Sequence, residues 1–117
     1  MSHNELVLET IESLEEFLPK VANESIIIAE LLRKDKDFEA MGRIQKIING
    51  IEWIVSAVNG IKGIDYSLNI DTHEINEYLV EIQEGLQFKD TVLIADIFEY
   101  EINPAMHRWL DRIAKDK

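Results

Sequence analysis

Apolar residues recur every three or four positions along almost the whole chain, and this period constrains the fold more than any other feature. An α-helix places residues at this spacing on one face, where they pack against neighbouring helices. Ser25 fills the one gap in the first run. The residues of this apolar seam are Val7, Ile11, Leu14, Leu18, Val21, Ile28, Leu32, Met41, Ile44, Ile48, Ile51, Val55, Val58, Ile75, Leu79, Ile82, Leu86, Leu93, Ile97 and Tyr100. The pattern predicts a helical bundle and specifies no reaction.

The length of 117 residues suits a single domain, so residues 1–117 are expected to form one helical-bundle domain. The chain has no Cys, which excludes disulfides and thiolate metal sites. Its N-terminal segment lacks the basic and apolar regions of a secretory signal. No unbroken apolar run approaches the roughly 18–20 residues that a membrane span needs. We therefore expect a cytoplasmic protein that does not insert into a membrane.

The formal net charge is −11, and the negative charge is unevenly distributed. Residues 5–32 hold seven acids against Lys20 alone, and residues 71–86 hold five acids without any Lys or Arg. Nucleic acids and anionic lipids are bound through Lys and Arg, so this charge argues against both as partners. The acidic faces have two interpretations. One is a solvated surface that keeps a small protein soluble, and the other is a docking surface for a basic partner segment.

Pro19 is the main irregularity of the first predicted helix, which covers residues 5–33. Proline cannot donate a hydrogen bond to the carbonyl of Glu15 and normally ends or kinks a helix. The seam nevertheless keeps its phase across Pro19, which favours one long helix kinked at this residue over two short ones. A polar turn follows, in which Asp35 or Asp37 is expected to cap the next helix.

The second helix is predicted over residues 37–62, although its sequence also carries signals of a β-hairpin. Asn49-Gly50 and Asn59-Gly60 are typical hairpin-turn dipeptides, and the flanking isoleucines favour strands. The helical spacing continues through both glycines, so we reject the hairpin. Each glycine then costs about 1 kcal/mol relative to alanine. In return it allows a neighbouring helix to approach closely.

Two further helices complete the predicted fold. The third is predicted over residues 71–87, because Asp71 and Glu74 match the capping box of a helix start. The fourth is predicted over residues 90–115, with Pro104 kinking or breaking it. Short connections favour antiparallel neighbours. The predicted fold class is therefore all-α, an antiparallel four-helix bundle.

No pattern in the sequence predicts a catalytic, cofactor or metal site. Carboxylate-bridged metal bundles need Glu-x-x-His pairs, but Ile70 and Pro104 stand three positions before His73 and His107. The scattered histidines and the absence of Cys also argue against zinc. The segment Gly60-Ile61-Lys62-Gly63 is too short for a nucleotide-phosphate loop and lacks a preceding strand. We predict a protein that is not an enzyme and needs no cofactor.

Six residues are candidates for contact with a protein partner. Asp96, Glu99 and Asn103 share one helix face, because they lie three and four positions apart. This face is interpreted as a polar outer surface, as an Asp and a Tyr hydrogen-bonded across the bundle, or as a partner-binding patch. A further alternative is acid–base work by paired carboxylates beside His107. Each Trp is interpreted as a core residue or as an interface anchor. The candidates are Trp53, Asp96, Glu99, Tyr100, Asn103 and Trp109.

The stretch TVLIADIFEYEINPAMHRWL at residues 91–110, read together with residues 47–54, resembles a family of small uncharacterised bacterial helical proteins. The resemblance covers most of the chain and implies a helical bundle. It implies no activity and therefore assigns no functional residues. Size, acidic charge and the long second helix are also similar to flagellar export chaperones, which are small acidic four-helix proteins of the cytoplasm.

These observations together predict a binding or adaptor module of chaperone-like character. Its acidic face, or an apolar groove between helices 2 and 4, is expected to contact a protein partner through a basic or amphipathic helical segment. The alternative is a homo-oligomeric structural or regulatory protein, such as a homodimer that associates through the apolar second helix.

Overall fold

The computed structural model describes residues 3–63 and 68–116, and all regular structure in these ranges is helical. The elements are α1 (His3–Arg33), α2 (Asp37–Gly63), α3 (His73–Gln87), α4 (Thr91–Ile97), a π-helical segment (Phe98–Ile102) and α5 (Asn103–Asp116). The last three follow one another without interruption, so the described chain forms four helical runs. The all-α bundle is confirmed, and α2 runs through both Asn-Gly dipeptides without a hairpin.

Helix α1 is the central element, since its backbone lies close to α2, α4, the π-helical segment and α5. Its seam is buried along its length, with Leu14, Leu18 and Ile28 fully excluded from solvent. Burial of each such side chain contributes about 1.5–3 kcal/mol. Ser25 is also fully buried, and its hydroxyl donates to the carbonyl of Val21 at 2.9 Å. This bond explains how the one polar residue of the seam is accommodated in the core.

Helix α1 continues through Pro19, which confirms the prediction of one long helix; the kink at this residue stays a prediction. Two predicted seam residues are not in the core, because Met41 is 37% and Tyr100 is 62% exposed. Phe98 and Ile102 are fully buried instead. The wider π turn changes the angle between successive side chains, so α-helical spacing gives the wrong inward-facing positions in this segment.

The turn between α1 and α2 differs from the predicted capping arrangement. Asp35 has a positive φ of 60°, and its N–H donates to the carbonyl of Leu32 at 3.2 Å. The N–H of Lys36 donates to the carbonyl of Leu31 at 2.9 Å. This pair of bonds is a Schellman motif, which ends α1. Asp35 therefore closes the first helix, and Asp37 is already the first residue of α2.

The turn between α3 and α4 uses the same motif. Lys89 has a φ of 55°, and the N–H of Asp90 donates to the carbonyl of Gly85 at 2.8 Å. The carboxylate of Asp90 then accepts the N–H of Leu93 at 3.0 Å and caps α4. The predicted start of the fourth helix at residue 90 is confirmed to within one residue.

The predicted capping box at the start of α3 is wrong. The helix begins at His73, whose N–H donates to the carboxylate of Asp71 at 2.9 Å. Glu74 does not fold back onto its own helix. Its carboxylate accepts hydrogen bonds from Arg108 at 3.0 Å and from the indole N–H of Trp109 at 3.1 Å. The two α5 donors draw the Glu74 side chain across the bundle, so this residue links α3 to α5.

The π-helical segment directly precedes Asn103 and Pro104. In a regular α-helix the ring of Pro104 crowds the carbonyl of Tyr100, and proline has no N–H to offer it. Here the N–H of Asn103 donates to the carbonyl five residues back, as in a π turn, and the helix continues through Pro104. The side chain of Asn103 donates to the carbonyl of Ala22 in α1 at 2.8 Å, which ties this irregular turn to the central helix.

Within the described residues, none of the helices combines the length and apolar character that crossing a bilayer requires.

Candidate protein-binding groove

A groove lies on the surface between α1 and α2. Its main part is a cavity of about 480 Å³, and a second cavity of about 310 Å³ adjoins it. Phe17 and Lys20 line both cavities, and Trp53 lines only the second. The remaining residues of the main cavity are Val21, Glu24, Arg43, Lys46, Ile47 and Gly50. We call these two cavities together the α1–α2 groove.

The floor of the α1–α2 groove depends on the absence of a side chain at Gly50. A Cβ at this position would lie 2.9 Å from Cζ of Phe17, closer than real Cβ contacts allow. The predicted close approach is therefore confirmed at Gly50. It is wrong at Gly60, where no described atom lies within 4 Å of an added Cβ. The Phe17 ring in turn meets Trp53 edge-on, with centroids 5.6 Å apart and planes at 88°, a favourable aromatic geometry.

The position of the groove differs from the expected one between helices 2 and 4. Helix α1 packs against both α2 and α4, so the surface groove beside α2 is formed with α1. Trp53 is 45% exposed at this groove, as the interface-anchor interpretation requires. Among the predicted candidates, it is the one that lines the groove.

The charged residues of the groove are not balanced. Arg43 donates to both carboxylate oxygens of Glu24, at 2.8 and 2.9 Å, so these two charges largely neutralise each other. Lys20 projects from α1 and Lys46 from α2, and neither forms an ion pair with any residue that the structure describes. The main cavity therefore has an excess of positive charge in a chain whose net charge is −11.

Asp96 and Glu99 lie together, but they face the end of α1. The guanidinium of Arg33 donates to Asp96 at 2.9 Å and to Glu99 at 2.6 Å. It also lies 5.8 Å from the ring centroid of Tyr100, within cation–π range. Together with the bond from Asn103 to Ala22, these contacts link this face to α1 through Arg33 and Asn103, where the sequence interpretation named an Asp and a Tyr. Both carboxylates already have a cationic partner within the chain.

The same contacts set the ionisation of this cluster. A hydrogen bond from the hydroxyl of Tyr100, followed by the hydrogen bond and charge of Arg33, lowers the pKa of Glu99. The hydrogen bond to Glu99, followed by the negative charge of Glu99, raises the pKa of Tyr100. Glu99 is therefore ionised and Tyr100 protonated near neutral pH, which is the state that the hydrogen bonds require. This arrangement stabilises the contact between Glu99 and Arg33.

The two tryptophans have different environments. Trp109 is only 1% exposed, and its indole N–H is bonded to Glu74, so its ring offers no surface to a partner in this structure. Its placement fits the core interpretation. His107, which extends the face of Asn103 in sequence, is exposed. No three His, Asp or Glu side chains of the described residues are grouped closely enough to hold a metal ion.

Sequence reasoning missed Phe17, Lys20 and Lys46 as groove residues, and it missed Arg33 as the partner of the acidic face. The groove residues come from two helices, and the period within each helix does not specify how the two align. Arg33 left a weak signal, because it is the one arginine of a strongly acidic first helix.

Residues 9–112 match the model of a family described as Domain of unknown function (DUF8042). The chain belongs to this family. The match spans most of the chain, in agreement with the resemblance to a family without an assigned activity. No curated protein and no solved structure matches this DUF8042 chain. The similarity to flagellar export chaperones stays a prediction.

Proposed function

We propose that this DUF8042 chain is a non-enzymatic, cytoplasmic protein-binding or adaptor module of chaperone-like character. In this proposal the α1–α2 groove holds an amphipathic helix of a partner protein. The observation that carries the proposal is the groove itself, with the half-exposed Trp53 at one end and apolar Val21 and Ile47 along it. Amphipathic helices bind by laying their apolar face into grooves of this kind.

The shape and composition of the groove favour a helix over a small molecule. Small ligands are bound in cavities that enclose most of their surface. The α1–α2 groove is open to solvent, and Phe17 lines both of its cavities. Successive apolar side chains of a bound helix can enter the two cavities. Trp is also enriched among residues that dominate binding energy at protein interfaces.

A selection from a displayed library of helical peptides tests the proposal. The library carries apolar residues at helical spacing and has Glu, Lys, Gln or Ser at the flanking positions. We expect enrichment of peptides that bind saturably and shift the backbone amide resonances of Phe17, Val21 and Gly50. Failure to enrich any binder, or resonance shifts spread over the whole surface, would contradict the proposal.

Trp53→Ala supplies the decisive variant for the enriched peptides. Loss of the aromatic anchor is expected to weaken binding by about tenfold or more. Phe88→Ala is the matched control, because Phe88 is 74% exposed and lies outside the groove. Binding by this control variant is expected to be unchanged. Equal losses in both variants would show that the peptides do not recognise the groove.

The second candidate function is a homo-oligomeric structural or regulatory protein. Phe38, at the start of α2, is 95% exposed, and Met41 lies one turn further along the same helix. Large exposed apolar residues favour self-association. Sedimentation at micromolar concentration tests this candidate: a dimer that becomes monomeric on Phe38→Glu would support it. A monomer under the same conditions would rule it out.

A further inference from the structure

We propose that the helix held in the α1–α2 groove carries acidic side chains on both flanks of its apolar stripe. This inference rests on the proposed function and names the chemical class of the partner. It reverses the expectation from composition, since a chain with a net charge of −11 is expected to select a basic partner. The preference for acidic flanks follows from the local charges of the groove.

The two lysines flank the main cavity from opposite helices, Lys20 on α1 and Lys46 on α2. A helix lying between them presents one flank to each. The remaining charges of this cavity, Glu24 and Arg43, are bonded to each other at 2.8 Å. Carboxylates on both flanks of the bound helix therefore meet an unpaired ammonium group on each side. The cationic side chains of a basic helix would instead lie next to Lys20 and Lys46, which carry the same charge.

The acidic surfaces elsewhere do not cancel this local preference. At physiological ionic strength the screening length is about 8 Å, so charges beyond the groove act weakly on a bound side chain. Glu16 is the exception within the groove, because it lines the smaller cavity together with Trp53. The preference for acidic flanks therefore applies to the main cavity, which Lys20 and Lys46 both line. Next to Trp53, an uncharged flank is favoured.

Three synthetic helical peptides with the same apolar stripe test the inference. Their flanks carry Glu, Gln or Lys, and their affinities are measured by fluorescence anisotropy at physiological ionic strength. We expect the Glu peptide to bind most tightly and the Lys peptide least tightly, with about a tenfold difference between them. Tightest binding of the Lys peptide would overturn the inference.

Charge-reversed variants test whether the groove lysines cause the preference for the Glu peptide. Lys20→Glu combined with Lys46→Glu is expected to reverse the order of the three peptides. Lys34→Glu combined with Lys36→Glu makes the same change in net charge at exposed positions outside the groove, and it should leave the order unchanged. Reversal by both variants would attribute the preference to net charge and would contradict the inference.

The Gln peptide separates this inference from the proposed function. If the Gln peptide binds at the groove and the Glu and Lys peptides bind equally well, the proposed function stands and the charge preference is wrong. If none of the three peptides binds, the proposed function itself fails. Chemical denaturation of each variant, compared with the unaltered protein, verifies that the fold is retained.

Discussion

Phe17 of α1 lies directly over Gly50 of α2, and no side chain separates the ring from the opposing backbone. A Cβ added at Gly50 would lie 2.9 Å from Cζ and 3.2 Å from Cε2 of this ring. The same ring meets Trp53 edge-on. The absence of a side chain at Gly50 therefore sets the position of the Phe17 ring, which lines both cavities of the groove.

Gly50→Ala is expected to move the Phe17 ring and to change the environment of Trp53. The substitution gains helix propensity, but displacing the ring costs about 1 kcal/mol or more, so no net stabilisation results. Gly42→Ala is the matched control in the same helix, because nothing lies within 4 Å of a Cβ there. It should raise the free energy of unfolding by about 0.5–1 kcal/mol. Chemical denaturation measures the free energy of unfolding, and tryptophan fluorescence reports the environment of Trp53. Equal stabilisation by the two substitutions would show that the Phe17 ring moves aside without cost.

Lys89→Gly is expected to stabilise the protein. Lys89 adopts a left-handed backbone conformation with a φ of 55°, which is strained for a residue with a Cβ. Glycine removes this strain and keeps the Schellman bonds, so the free energy of unfolding should rise by about 0.5–1 kcal/mol. Gln87→Gly, within α3, is the control and should lower it. A loss of stability in Lys89→Gly would mean that its side chain contributes more than the strain costs.

The period of the apolar residues was sufficient to predict α1 and α2 almost residue by residue. Apart from Met41, both helices turn their seams towards the core, and neither Pro19 nor Gly50 interrupts the helices. Prediction was weaker at helix ends, where local patterns compete with tertiary contacts. Glu74 matches a capping box in sequence, yet bonds from Arg108 and Trp109 draw it across the bundle.

The site was less predictable than the fold for a physical reason. Helical spacing tells which residues share a face, and Asp96 and Glu99 do share one. It does not tell which residue of another helix meets that face, because that depends on the register between helices. Arg33 forms ion pairs with both carboxylates, and Lys20 and Lys46 line the same cavity from different helices. These relationships exist only once the helices are packed.

Asn103→Ala is expected to lower the free energy of unfolding by about 1 kcal/mol. The substitution removes the half-buried hydrogen bond to the carbonyl of Ala22, and a typical hydrogen bond contributes about this much. It also releases the π turn from α1, so amide hydrogen exchange should accelerate over residues 98–104. His107→Ala, at an exposed position one turn later, is the control and should change neither property. Unchanged exchange in Asn103→Ala would show that the π turn does not need this bond.

The pKa of Glu99 is expected to rise in Tyr100→Phe and in Arg33→Ala. Both partners stabilise the ionised carboxylate, so the folded protein holds this pKa below its ordinary value of 4.5. The resulting stabilisation is fully present above pH 4.5 and is lost as the pH falls through the lower, folded value. Each substitution should therefore reduce the loss of stability on acidification.

Carboxyl resonances followed by NMR titration measure this pKa directly. Asp71 is an internal control, since its pKa is lowered by hydrogen bonds from His73 and has no contribution from Tyr100 or Arg33. Its titration should be the same in all three proteins. If Glu99 titrates at an unchanged pH in Tyr100→Phe but shifts in Arg33→Ala, the guanidinium alone maintains the ionised state. In that case Tyr100 contributes only the cation–π contact between its ring and Arg33.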